Sequence, residues 1–444
     1  MTAVAERPAA SSIRGHWIDD WNPEDPAFWA NGGSKIAKRN LIFSIFSEHI
    51  GFSVWSLWSV MVLFLGPQYG FDPAQKFLLT AVPTLVGALL RIPYTFAVAR
   101  FGGRNWTIIS ASMLLVPAVL AAFLIEPGVS FTTCLILGAL AGVGGGNFAS
   151  SMANINAFFP NRYKGWALGI NAGGGNIGVA AVQLVGLFVL AVFGAGHPGI
   201  VAGIYIPLIV LATIGSAIWM DNLSQARNEK RGMRDAVKES HTWVMSLLYI
   251  GTFGSFIGFG FAFGQVLQVQ FHDQFDTPIK AAYLTFLGPL LGSLIRPVGG
   301  ALADRLGGAK VTFVNFIAMG LATTVVLVAA QQRSLPLYLV GFISLFVLSG
   351  VGNGSTYKMI PAIFKAKYAD DDHQSRRISG AVIGVAGAIG GVGGVLVNLA
   401  FRQSFLTYKD ADAAYLGFIG FYALCVIVTW VVYLRPGARR TIAV

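Results

Sequence analysis

The stretch Leu85–Thr107, LVGALLRIPYTFAVARFGGRNWT, sets one arginine inside an apolar run and a second nine residues later at its end. It occurs twice. Leu290–Thr312, LLGSLIRPVGGALADRLGGAKVT, aligns with it at a constant offset of 205 and matches at eight of 23 positions. The matches pair Arg91 with Arg296, Arg100 with Arg305 and Gly102-Gly103 with Gly307-Gly308. A repeat over this distance implies a chain built from two related halves. At about 1.5 Å of rise per residue, the inner arginines lie roughly 13 Å from the outer ones, near the middle of a hydrocarbon layer about 30 Å thick. A guanidinium is expensive there, and an intramembrane charge is read first as functional.

Of 444 residues, 55% are hydrophobic and only 11% charged, which places the chain in the membrane class. Apolar runs long enough to span are expected near 40–66, 76–99, 106–126, 131–159, 165–194, 199–220, 242–270, 281–303, 309–329, 336–364, 377–401 and 413–434. The reading is an all-α membrane protein of 12 transmembrane helices in two pseudo-symmetric six-helix halves. Its parts are an N-terminal segment (1–39), a first bundle (40–220), a linker (221–241), a second bundle (242–434) and a tail (435–444). Two further blocks repeat in the same order. In the fourth run, Gly146-Asn147 and Phe158 align with Gly352-Asn353 and Phe364 of the tenth at an offset of 206. In the fifth, KGWALGINAGGGNIG (164–178) aligns with SGAVIGVAGAIGGVG (379–393) of the eleventh at an offset of 215. Such small residues let helix backbones approach closely.

The formal charge of +11 raises the question of nucleic acid, which the distribution of the 31 Lys and Arg answers. Tails and even-numbered loops carry 23; odd-numbered loops carry five (Lys76, Lys280, Arg333, Arg402, Lys409), and three (Arg91, Arg296, Lys358) lie within helices. That is the positive-inside bias, so both termini are expected on the cytoplasmic face, and the basic balance reports topology and anionic lipid, not a nucleic-acid partner. The four acids and five bases of the stretch 221–243 read as ordinarily solvated, on a linker partly helical along the membrane surface.

Residues 1 to about 18 read as disordered, and 17–40, rich in Trp, Phe, Pro and charge, as an interfacial segment. The first apolar run is too long for a signal-peptide core, so no cleaved signal is expected. Cys134 and Cys425 both fall in expected helices and read as packing residues, with no metal spacing. The glycines of 142–146 follow no strand and lie in the membrane, so they do not read as a phosphate loop, and no cofactor is implied. An intramembrane enzyme would need a nucleophile–base pair or metal ligands; His49 is the one histidine in a buried stretch and no HExxH occurs. Glu48 and His49, adjacent on the first helix, read either as a hydrogen-bonded pair facing the bundle or as proton-handling groups.

Gly299-Gly300-Ala301-Leu302-Ala303-Asp304-Arg305-Leu306-Gly307-Gly308 resembles the signature loop of the major facilitator superfamily; the first copy has Ala99 in place of the Asp. The resemblance implies that Asp304 and Arg305, with Arg100 in the first copy, form a conformational latch through charge contacts. Taken together, GGGNFASSMANINAFFP (144–160), NAGGGNIG (171–178), LLYIGTFGSFIGFGFAF (247–263) and GALADRLGG (300–308) resemble the nitrate/nitrite porter family of that superfamily. DWNPEDPAFW (20–29) resembles its NarK-type members in particular.

The resemblance implies a planar anion clamped between Arg91 and Arg296 on the second and eighth helices, with Phe148 and Phe253 as aromatic faces and Tyr249 and Asn176 as polar contacts. It implies nitrate and nitrite as substrates, exchanged by a protein of the bacterial cytoplasmic membrane; the sequence itself is silent on oligomeric state, and a monomer is the expectation. A guanidinium fork suits a planar, weakly hydrated anion as lysine does not. Ala172 departs from the NarK-type pattern, which commonly has Gly there. Lys358 and Glu48 add titratable groups that one-for-one exchange does not need. They leave open proton-coupled import through Glu48 or His49, since moving one charge against the membrane potential costs about 2.3 kcal/mol per 100 mV.

Overall fold

The computed structural model describes residues 13–225 and 230–436. Within them are 12 helices long and apolar enough to cross a membrane: Pro26–Phe64, Pro73–Phe101, Gly103–Leu124, Phe131–Phe158, Arg162–Phe193, Pro198–Trp219, Ser240–Gln270, Pro278–Leu306, Gly308–Gln331, Leu335–Lys367, Arg377–Thr407 and Asp412–Leu434. They are numbered helices 1–12. Helix 1 begins well before the expected residue 40. Asp25 accepts from the Ala27 amide at 2.8 Å with Pro26 in the first turn, and the main α-helical run follows from Ser34. Helix 2 starts on a capping box, Asp72 accepting from the Gln75 amide and Gln75 accepting in return from the Asp72 amide.

Helices 3 and 8 are interrupted at Leu114 and Phe286, and three further breaks lie near the functional residues. Helix 1 breaks at Ser56, helix 4 passes through a 3₁₀ turn at Gly142–Gly146, and helix 7 carries a π-turn at Ile250–Gly254. Each break leaves backbone carbonyls off the regular ladder and re-aims the side chains that follow. The repeat seen in sequence is also a repeat of backbone conformation. Gly102 and Gly307, aligned at the offset of 205, turn the chain between helices 2 and 3 and helices 8 and 9 with φ of 87° and 91°, a region that favours glycine.

Residues 13–18, expected to be disordered, are paired from residue 13 on; residues 1–12 and the tail beyond 436 lie outside the described residues. Strand β1 (Ile13–Arg14) pairs antiparallel with β2 (Trp17–Ile18), and β2 pairs in parallel with β3 (Asn222–Leu223) at the start of the linker. Trp21 and Trp29 are buried, and the Trp21 indole donates to the Phe158 carbonyl at 3.2 Å. The linker acids are not simply solvated. Asp221 is buried and accepts from Arg39 at 2.6 Å and from Asn40 at 2.9 Å, while Asp235 pairs with Arg377 at 3.0 Å. The reason is that the N-terminal segment and the ends of helices 10 and 11 fold over the linker and bring cations to it.

The halves meet along helices 2 and 11, away from the end that carries the described chain ends. Phe77 stacks on Phe401 and Phe405, Thr80 donates to Asn398 at 2.7 Å, and the Gln265 amide reaches the Pro73 carbonyl at 2.6 Å. Toward the other end several glycines of the repeated blocks have open space beside them. A methyl group built on Gly165, Gly169 or Gly173 of helix 5, or on Gly380 of helix 11, would meet no atom within 4 Å. The glycines deeper in the same blocks are tightly packed: Gly393 would place a methyl 2.8 Å from the Gly254 Cα.

The linker helix Lys230–Lys238 ends on Glu239, whose carboxylate accepts from Lys367 and from the Tyr368 hydroxyl, both at 2.5 Å. Burial by itself would raise this carboxyl, but the Lys367 and Tyr368 hydrogen bonds outweigh it and hold it below its ordinary 4.5. Its stabilisation is therefore complete above that value and is lost as pH falls through the depressed one. Glu239→Gln is expected to cost about 1 kcal/mol at pH 7. Thermal unfolding in detergent should show the gap between wild type and variant closing as the buffer is taken well below 4.5. A gap that is unchanged in acid would rule out the charged tether.

Candidate functional site

Arg91 is fully buried on helix 2, and Arg296 is 7% exposed on helix 8. The glycines of helix 4 explain how Arg91 is held. In the 3₁₀ turn a methyl on Gly145 would stand 2.7 Å from the Gly87 Cα and one on Gly144 would stand 2.1 Å from the Gly51 carbonyl oxygen, so helices 1, 2 and 4 touch through backbone there. That proximity brings the Gly145 carbonyl within 3.2 Å of Arg91 Nε. Arg91 Nη1 donates across the interface between halves, to the Gly387 carbonyl of helix 11 at 2.8 Å. The guanidinium carbon lies 4.7 Å from the Phe148 ring centre and 4.6 Å from that of Phe253. Thus both rings lie against the arginine itself, one from each half, near-parallel with their centres 6.3 Å apart.

The π-turn of helix 7 stacks Phe253 on Tyr249 at 5.2 Å and 7°. Tyr249 accepts from Arg296 Nη2 at 3.1 Å, and the Arg296 guanidinium also lies over Tyr357 of helix 10, 5.5 Å from the ring centre. One group on each arginine, Nη2 of Arg91 and Nη1 of Arg296, is buried without a hydrogen-bond partner, as are both amide atoms of Asn176 and the Tyr357 hydroxyl. Leaving such donors unmet costs about 1–3 kcal/mol each, more when charged. The two arginines repel each other.

Glu48 is buried in the N-terminal half, where Oε2 accepts from Asn171 at 2.7 Å and from Ser151, while Oε1 has no partner. Helix 5 approaches it at Gly175, where a methyl would fall 2.2 Å from Oε1. It lies within electrostatic range of both arginines. His49 is directed elsewhere, its Nδ1 donating to the Gly174 carbonyl at 3.1 Å. The sequence reading missed Ser151, Asn171 and Tyr357. The repeat held a clue, since the offset of 206 aligns Ser151 with Tyr357.

Lys358 is about half exposed and is ion-paired with Asp304 at 2.9 Å, so its charge meets the signature loop. Arg305 is exposed, and Arg100 lies over the Phe101 ring. The first copy of the loop, which lacks the Asp, is held by a neutral group instead. Asn222 of β3 accepts from the Asn105 amide at 3.2 Å and donates to the Asn105 side chain at 3.1 Å.

A bundle of twelve spanning helices in two repeated halves, with buried cations between them, is the architecture of a secondary transporter. Residues 41–398 match the model of the Major Facilitator Superfamily. The fold is similar to that of the nucleoside transporter NupG (TM-score 0.63, 11% identity, covering 89% of this chain and 100% of that one). It is likewise similar to the xylose transporter XylE from E. coli (TM-score 0.67, 11% identity, covering 90% and 98%). In sequence the chain is 38% identical to the nitrate/nitrite transporter NarU of Escherichia coli, over 94% of this chain and 96% of that one. It is 34% identical to the probable nitrate/nitrite antiporter NarK2 of Thermus thermophilus, over 97% and 99%. The chain belongs to the NarK/NarU-type nitrate/nitrite transporters of the Major Facilitator Superfamily, and is an integral protein of the bacterial inner membrane.

The Asp304–Lys358 pair is solvent-accessible, so it is worth about 0.2–1 kcal/mol, a bias between conformations of about 1.4- to five-fold. Asp304→Asn and Lys358→Gln should each lower transport by that order while leaving equilibrium anion binding intact. The charge-swapped double variant Asp304→Lys/Lys358→Asp should recover most of it. Loss of binding in Asp304→Asn, or no recovery in the swap, would remove the latch role.

Proposed function

We propose that the protein exchanges nitrate for nitrite by alternating access, with Arg91 and Arg296 as a shared anion clamp. The observation that carries this is the pair of buried guanidiniums, one per half, each with an unpartnered N–H group, Arg91 against the Phe148 and Phe253 rings and Arg296 over Tyr357. Nitrate and nitrite are planar and monovalent, and a guanidinium fork meets them with in-plane hydrogen bonds while the rings exclude water. Tyr249 orients Arg296, and Asn176 supplies a neutral donor.

Coupling follows from charge. The empty site brings two cations together in a low dielectric, so the halves close readily only with an anion between them. One anion in for one out is electroneutral and needs no proton. Glu48, bound by Ser151 and Asn171, then acts as a fixed counter-charge that tunes the pair. Both termini lie in the cytoplasm, the two halves part toward that side, and a single chain is the working unit.

One observation favours a second mechanism on the same site. Glu48 Oε1 is buried, unpartnered and in electrostatic range of both arginines, which is where a transported proton would bind. His49, the next residue along helix 1 and bonded to Gly174, would tune it.

Arg91→Lys and Arg296→Lys are each expected to reduce nitrate uptake by at least roughly a hundred-fold with the protein still folded, because charge remains but the planar fork is lost. Uptake near the wild-type rate in either variant would sink the clamp. For coupling, liposomes loaded with nitrite should take up nitrate at a rate almost indifferent to external pH, with Glu48→Gln nearly silent. Uptake into liposomes lacking a partner anion, driven by an inward proton gradient and abolished by Glu48→Gln, would establish symport instead.

A further inference from the structure

Tyr357 is used by nothing described so far. Its position on helix 10 sets its ring over Arg296 and 6.0 Å from the ring of Tyr249, at 46° to it. Those contacts account for the ring. They leave the hydroxyl unexplained, since it is buried and has no hydrogen-bond partner. Of the other buried tyrosines, Tyr338 and Tyr415 bond each other at 2.7 Å and Tyr422 bonds Ser255 at 2.7 Å, while the Tyr94 hydroxyl is also unpartnered but has no charged group in contact with it among the described residues. A phenylalanine would make the same ring contacts without a buried polar group, which costs about 1–3 kcal/mol when unmet. The hydroxyl lies within electrostatic range of Arg91, Arg296 and Tyr249, on the arginine whose Nη1 is also unpartnered.

We propose that the Tyr357 hydroxyl donates to the bound anion and sets its preference for nitrate over nitrite, an inference that rests on the nitrate/nitrite reading above. Tyr249 differs from it in that its oxygen accepts from Arg296 Nη2, so its hydroxyl has a protein partner where that of Tyr357 has none. With Tyr357 included, Arg91 Nη2, Arg296 Nη1 and Asn176 Nδ2 are joined by a fourth donor. Nitrate offers three equivalent oxygens to such a set and nitrite only two. A site built around a third oxygen leaves a buried donor unmet when nitrite binds, which is how a polar pocket discriminates against an analogue lacking the group.

The test is equilibrium binding of sodium nitrate and sodium nitrite to the purified full-length protein in detergent, comparing wild type with Tyr357→Phe. That substitution removes the hydroxyl and keeps the ring over Arg296. Nitrate affinity should fall roughly ten-fold, as for loss of a hydrogen bond to a charged group, and nitrite affinity by clearly less. Unchanged affinities for both anions would overturn the proposal. Equal losses would overturn it too, since the hydroxyl would then be positioning Arg296 and not reading the third oxygen. Should the variant fail to fold, infrared difference spectra of Tyr249→Phe protein labelled in its tyrosine rings give the same answer. A tyrosine C–O shift on adding nitrate, weaker on adding nitrite, supports it, and no shift with nitrate overturns it. Failure of the parent reading looks different, because wild type itself would then bind neither anion.

Discussion

Two guanidiniums held in a low-dielectric interior with no carboxylate bonded to them are the constraint on which the rest of this structure depends. An arginine at mid-membrane costs about 2.5–3.5 kcal/mol on insertion scales, so two of them consume much of a folding stability that is commonly only 5–15 kcal/mol. Arg91 recovers part of this through the Gly145 and Gly387 carbonyls and through two aromatic rings, and Arg296 through Tyr249 and the face of Tyr357. What remains is one unmet N–H group on each and the repulsion between them. In the proposed mechanism an anion meets both at once, so binding, stability and closure of the halves are coupled by the same charges.

The glycine content follows from that constraint. Bringing main-chain carbonyls to a buried arginine requires helices to touch through backbone, and any β-carbon at Gly145 or Gly144 would force them apart. The repeated glycine blocks serve two ends. In mid-membrane they are packed against neighbouring backbone; in the outer turns of helices 5 and 11 they face open space. The two halves share a backbone plan yet carry different chemistry at equivalent points. Ser151 holds a carboxylate in one half, while its counterpart Tyr357 lies over a guanidinium in the other.

The ends of the bundle are asymmetric in the same way. The start of the linker is bound into the first half by β3, Asp221 and Asn222, whereas its far end is bound to the second half through Asp235 and Glu239. The signature loops divide likewise, with an exposed ion pair at Asp304 and a neutral amide clasp at Gly102–Asn105.

The sequence by itself determined the class of fold, the twelve spans, the two related halves and the mid-membrane placement of Arg91 and Arg296. These follow from apolar run length and from a fixed repeat offset, both of which are local or one-dimensional properties. Resemblance added Phe148, Phe253, Tyr249 and Asn176 as a set. Only the tertiary structure decided which groups touch. It put both rings on Arg91, paired Lys358 with Asp304, turned His49 toward Gly174, gave Glu48 to Ser151 and Asn171, and left the Tyr357 hydroxyl without a partner. The physical reason is that hydrogen bonds and ion pairs act over about 3 Å, between residues up to roughly 300 positions apart here, such as Arg91 and Gly387. Helical periodicity sets which face a residue lies on, but the partner across the interface depends on helix breaks at Ser56, Gly142–Gly146 and Ile250–Gly254, which composition alone does not locate.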